Sequence, residues 1–218
     1  MLTDELHNFL FEQWENTLQS FEVDATSIAQ VFNNLIQAYS TPNRYYHTLK
    51  HINHILNKIQ TLQADTKDLS TTQLAAWFHD VVYDTQAQDN EEKSANYATQ
   101  VLKSLGISLS YINTVKRLIL NTKHHKAAAD DIDSQVLLDA DLAILAADPD
   151  EYEEYANAIR REYAWVSDID YIQGRKQVLE KFLQRERIYF TPMMFASAEQ
   201  SARANMQGEI HRLSGYGG

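Results

Sequence analysis

Apolar residues in this chain recur at spacings of three and four, the period of a helix that buries one face. The pattern predicts helices near 3–20, 26–40, 47–62, 71–83, 91–105, 111–124, 135–147, 151–164, 169–186 and 195–213. Punctuation falls between them: Thr41-Pro42-Asn43 stops the second, and Pro149 separates two later ones. Asp89, with Glu92 three residues on, reads as a capping box. No run alternates in the manner of a strand, and no repeat or low-complexity linker breaks the series. The expected fold is all-α, one helical bundle over residues 1–218, with N- and C-terminal helices added to a central group.

Composition narrows the function classes. Lysine and arginine number 19 against 30 acids, a formal charge of −11. That balance disfavours a nucleic-acid polymer and an anionic membrane surface, both of which are held by basic residues. A small phosphorylated ligand stays open, because a bound cation reverses the local field. There is no cysteine, hence no disulfide, thiolate site or cysteine nucleophile, which fits a reducing, cytoplasmic setting. The first residues, MLTDELHNFLFEQWEN, carry early acids and lack the order of a secretory signal. No apolar run approaches the ~18 residues of a membrane span. An apolar face on the helices carrying Trp14, Phe190 and Phe195 would serve a homo-oligomer.

Polar residues in apolar company form four groups. "RYYHTLKHI" holds Arg44, His47 and His51, and "AAWFHDVVYD" holds His79, Asp80 and Asp84. "NTKHH" holds Thr122, His124 and His125, and "LLDADLAIL" holds Asp139 and Asp141. A carboxylate in a buried helix is costly unless it is paired, hydrogen-bonded or metal-bound. Imidazole with carboxylate suits a divalent ion, which lowers the pKa of a coordinated water and polarises a phosphoryl oxygen. On a helical wheel from Val136 to Leu145, at about 100° per residue, the bulky apolar residues centre near Asp141 and opposite Asp139. Asp141 then faces inward, while Asp139 faces out, caps or sits behind a ligand. Each feature also has a plainer reading. His47 and His51, four residues apart, fit a helical metal pair but can be surface histidines, and Asp139 and Asp141 a cap and a surface acid. Glu91 and Glu92 can be first-turn acids favoured by the helix dipole, and His124 and His125 helix-terminal cations. Their order along one all-helical chain is what points to metal chemistry.

That order, His, then His-Asp, then Asp, resembles the HD superfamily of metal-dependent phosphohydrolases. More narrowly, the chain is similar to a bacterial branch described as predicted metal-dependent HD phosphohydrolases. "RYYH" with His51 and Ile52, "AAWFHDVVYD", "NEEKSA", "TKHH", "LLDADLAIL" and "IRREY" carry the resemblance, over residues 44–163. It implies an HD-type helical domain with His47 as first ligand, His79 and Asp80 as the paired ligands, and Asp141 as the last, with Asp139 as the alternative. Members with two ions use further histidines. Here Asp84, Glu91 and Glu92 stand in that interval until His124 and His125, so one divalent ion is expected and a second stays open. Mn, Fe, Co, Ni, Zn and Mg are all admitted.

The implied activity is hydrolysis of a phosphate ester or anhydride in a small molecule, a nucleotide in the first instance. Asp84 or Glu91 would manage the proton. Arg44 and His125 would stabilise phosphate charge, the plainer role of Arg44 being an ion pair with a neighbouring acid. Arg160 and Arg161 are weaker phosphate candidates. The alternatives are an HD-fold di-iron oxygenase and a non-catalytic helical module that binds a phosphorylated ligand.

Overall fold

Amphipathic periodicity becomes ten α-helices in the computed structural model, which describes residues 3–215; no strand occurs among them. They are α1 (Asp4–Leu18), α2 (Ala25–Tyr39), α3 (Leu49–Thr61), α4 (Leu69–Phe78), α5 (Asn90–Ser104), α6 (Leu109–Thr122), α7 (Ile132–Asp141), α8 (Pro149–Glu162), α9 (Asp168–Leu183) and α10 (Pro192–Gly215). The fold is all-helical, as expected. None of the described helices is long and apolar enough to cross a membrane. By its contacts the chain divides into two compact units, the first ending at Leu138 and the second beginning at Asp139, so the boundary falls inside α7.

The first unit is built around α4. Every residue from Thr71 to His79 is buried, as in a helix with protein on all sides. Asp68 caps its start by accepting from the Thr71 amide at 3.0 Å. Asp133, at the start of α7, accepts from the amides of Asp68 itself and of Lys67 before it. Around α4 pack α3, α5 and α6, and α1 joins through aromatic rings. Trp14 meets Trp77 edge to face at 5.5 Å, and Trp77 donates its indole N–H to Thr17. Trp14 is fully buried and donates to the Ile28 carbonyl, so its own side chain belongs to the core.

The second unit holds the last residues of α7, a 3-10 turn from Leu142 to Ala146, and α8 to α10. Its centre is a buried polar knot. Arg175 of α9 grips Glu209 of α10 at 2.8 and 3.0 Å, and Tyr152 of α8 donates to the same carboxylate at 2.6 Å. Glu199 accepts the amides of Ile188 and Tyr189, fixing the segment before α10.

Local departures from the predicted pattern have identifiable causes. The predicted 71–83 helix stops at Phe78 because His79 turns its ring back onto the Ala76 carbonyl. Arg44 to His47 lie in the irregular segment ahead of α3, whose cap is Thr48, so His47 and His51 do not share one helix. Asp89 makes no capping bond and instead pairs with Lys93 at 2.8 Å. α7 gives way to 3-10 geometry after Asp141.

Candidate metal centre

The C-terminal end of α4 sets the site. The last carbonyls of a helix have no partner within it and must find donors elsewhere. Here Tyr39 donates its hydroxyl to the Trp77 carbonyl at 2.9 Å, and the Val81 amide returns to Phe78 at 3.2 Å. The ring of His79 takes the Ala76 carbonyl through Nδ1 at 2.9 Å. A carbonyl only accepts, so Nδ1 carries the proton. In the neutral ring Nε2 is therefore the lone-pair atom. Metal-ligating histidines are oriented by this same bond from the far nitrogen to a backbone carbonyl.

Three imidazoles converge on one carboxylate. From Oδ2 of Asp80, Nε2 of His79 lies at 3.1 Å, Nε2 of His47 at 3.8 Å and Nε2 of His51 at 3.9 Å. The rings also touch one another, with centroids 5.4 Å apart for His51 and His79 and 5.6 Å for His47 and His51. Tyr83 stacks on His47 at 4.1 Å and Tyr46 tilts over His51 at 4.6 Å. Nε2 of a neutral His79 and Oδ2 of Asp80 are both acceptors, so their 3.1 Å approach calls for positive charge. A second ring proton or a metal cation satisfies it.

The spacing matches a coordination sphere. With bonds of about 2.1 Å, two ligand atoms stand about 3.4 Å apart in a tetrahedral site and about 3.0 Å apart as octahedral neighbours. The three imidazole-to-carboxylate distances lie within about 1 Å of those values. Imidazoles and a carboxylate placed in this way form a group that can hold a metal ion.

No family model, curated protein or solved structure matches this chain. What the site can do follows from its own geometry.

Among the predicted ligands, His79, Asp80 and His47 meet around Oδ2 of Asp80. His51, named with His47 as a spaced pair but not carried into the predicted ligand set, belongs to the cluster as well. Its signal was legible: His51 falls on the buried stripe of α3 with Ile52, Ile55, Leu56 and Ile59. Asp139 differs from the wheel's outward placement, being completely buried. Its oxygens accept from the amides of Phe190 and Thr191 and from the Thr191 hydroxyl, at 2.7–2.8 Å. The wheel misplaced it because α7 is buried without interruption from Val136 to Ala140 and has no outer face there. Burial pushes the Asp139 carboxyl up to about 6, against the pull of those three donors.

Of the predicted proton handlers, Asp84 lies in the segment after α4 and Glu91 at the start of α5. With α4 ended at Phe78, Asp84 is not one helical turn beyond Asp80. It is exposed, accepts from the Gln86 amide at 2.9 Å, and its backbone pairs both ways with the Asn90 side chain. Glu91 lies half-buried in the first turn of α5. Its neighbour Glu92 pairs with Lys123, which holds the Glu92 carboxyl below its usual range. His125 is half-buried with a left-handed backbone, φ 46°, just past α6, and His124 is exposed. Arg160 is committed to Asp168 and to the carbonyls of Tyr163 and Val166. Arg44 is buried and donates to the backbone carbonyls of His47, Asp80 and Val81.

Proposed function

We propose that this chain is a metal-dependent phosphohydrolase of the HD type, acting on a small phosphorylated molecule, with nucleotides the first class to test. The observation that supports it is the convergence of three imidazoles on one oxygen of Asp80, with the His79 ring fixed by its Nδ1 bond to Ala76. His51, His79 and Asp80 would hold a divalent ion, with Asp141 the last ligand that the sequence resemblance implies. Bound there, the ion supplies Lewis acidity toward a phosphoryl oxygen and a water of lowered pKa. His47, with 18% of its side chain exposed, is the more open of the three rings and faces a substrate more readily than buried His51. It is the residue here best suited to pass a proton to a leaving oxygen. Tyr83 fixes its plane by stacking. The segment after Asp80 is anchored by Ser94, whose hydroxyl bonds both the amide and the carbonyl of Val82 at 3.1 Å.

The test is turnover. Protein shown by elemental analysis to carry Mn, Co, Ni, Zn or Mg is assayed for phosphate release from nucleotides and phosphomonoesters. Release that vanishes in Asp80→Asn is the expected result. No turnover across the panel by ion-loaded protein refutes the hydrolase reading.

A further inference from the structure

Arg44 is the buried cation nearest the centre, and its hydrogen bonds follow an unusual plan. One terminal nitrogen donates to the His47 carbonyl at 3.1 Å and to the Asp80 carbonyl at 2.7 Å. The other donates to the Val81 carbonyl at 3.0 Å. The guanidinium lies 4.9 Å from the Tyr39 ring centroid and 5.3 Å from that of Tyr83. Only 8% of the residue is exposed. The three acceptors belong to two segments separated by more than thirty residues. One carries His47 and leads into the cap of α3, and the other follows His79 and carries Asp80. Neither segment is helical, so neither is held by a backbone ladder at those carbonyls. Tyr39, which flanks the guanidinium, also donates to Trp77 one turn before the site.

We infer that Arg44 is a positioning residue: its planar fork ties the His47 segment to the Asp80 segment and fixes the ligand geometry before any ion arrives. This rests on the metal-centre reading above for its consequence, but not for its structural content. Lysine cannot reproduce it, because one ammonium cannot present two parallel sets of donors to three carbonyls. Residues supporting a ligand set in this way typically change ion affinity or activity by about 10–100-fold when altered.

The experiment uses the full chain with Arg44→Lys and Arg44→Gln. Amide hydrogen exchange on chelator-treated protein is read at residues 79–82 and 46–49, with α9 as internal reference. Exchange rising at least tenfold in those two segments and unchanged in α9 is expected in both variants. Binding of Mn²⁺ and Zn²⁺ is read by calorimetry, and a dissociation constant about 10–100-fold weaker is expected in Arg44→Lys. Exchange equal to the wild-type chain overturns the inference, as does a variant whose melting temperature falls while its folded fraction binds the ions with unchanged affinity. If the wild-type chain binds neither ion, the metal-centre reading fails and the exchange result alone decides the role of Arg44.

Discussion

Adding a divalent ion to chelator-treated protein should raise its melting temperature, and Asp80→Asn should abolish most of that rise. The ligands come from residues far apart in sequence, so the unfolded chain cannot present them together and binding stabilises the folded state by linkage. For the proposed ligands His79 and His51, the imidazole-to-carboxylate distances of 3.1 and 3.9 Å already lie within about 1 Å of a coordination sphere, so little of the binding energy is consumed in rearrangement. At an ion concentration 100 times the dissociation constant the gain is about 2.7 kcal/mol. For a chain of this size that is roughly 5–11 °C. An affinity loss of about 100-fold in Asp80→Asn leaves about 0.4 kcal/mol at the same concentration, roughly 1 °C. The chelated state carries a second signature. If His79 is neutral, removing the carboxylate relieves an acceptor-to-acceptor approach, and chelated Asp80→Asn should melt no lower than the wild-type chain. Differential scanning calorimetry in chelator, then in Mn²⁺ or Zn²⁺, reads both effects. Equal ion-dependent shifts in the two proteins would refute the site. A chelated variant destabilised by several degrees would instead identify an imidazolium–carboxylate ion pair.

Other expectations follow from single residues. His51→Gln should weaken Mn²⁺ or Zn²⁺ binding at least tenfold by calorimetry, whereas His124→Gln, at an exposed position, should stay within about twofold. Burial pushes Tyr152, Tyr189 and Tyr171 above the usual phenol range, Tyr171 to about 12. Folded pKa values raised in this way give stability that is complete below pH ~10 and lost as pH rises through the folded values, at roughly 1 kcal/mol per pH unit for each tyrosine. Urea unfolding at stepped pH should therefore show stability falling from about pH 10 upward, and a flat profile would contradict their burial. Arg175→Ala leaves the Glu209 carboxylate buried without its bidentate partner and should cost about 3–5 kcal/mol in urea unfolding. Arg175→Met with Glu209→Gln should recover most of that loss, since the amide still accepts from Tyr152.

Helices were legible because their apolar periods are long and few glycines or prolines interrupt them. Their ends were less so. The end of α4 carries a side-chain bond from His79 to Ala76, which no periodicity encodes, and Asp84 lies beyond that end in the segment before α5. His79 and Asp80 were legible as an acid and an imidazole inside an apolar run. His51 was legible only by setting its position against the buried stripe of α3, and pairing it with His47 by spacing obscured this because α3 begins between them. Asp139 was misjudged because a wheel assumes one wet face, and α7 has none over that stretch. The partners of Arg44 are main-chain carbonyls, which carry no sequence signal at all.

The location of the centre also has an electrostatic logic. The C-terminal end of a helix carries partial negative charge on its last carbonyls, so cations are favoured there. The end of α4 adds the Asp80 carboxylate and the turn carbonyls of Asp80 and Val81 to that field. Arg44 is a resident cation, but it spends its charge-assisted bonds on main-chain carbonyls. On the proposed reading, a second positive charge would then serve the Asp80 side chain and the imidazoles around it. An ion held there would also supply what the chain as a whole lacks. With a formal charge of −11, the protein's overall field repels a phosphorylated molecule, and only a concentrated local cation can reverse its sign at the point of contact. On the proposed reading the acidic composition and the His-Asp cluster belong together: an anionic substrate would meet attraction in this chain where a bound cation concentrates positive charge.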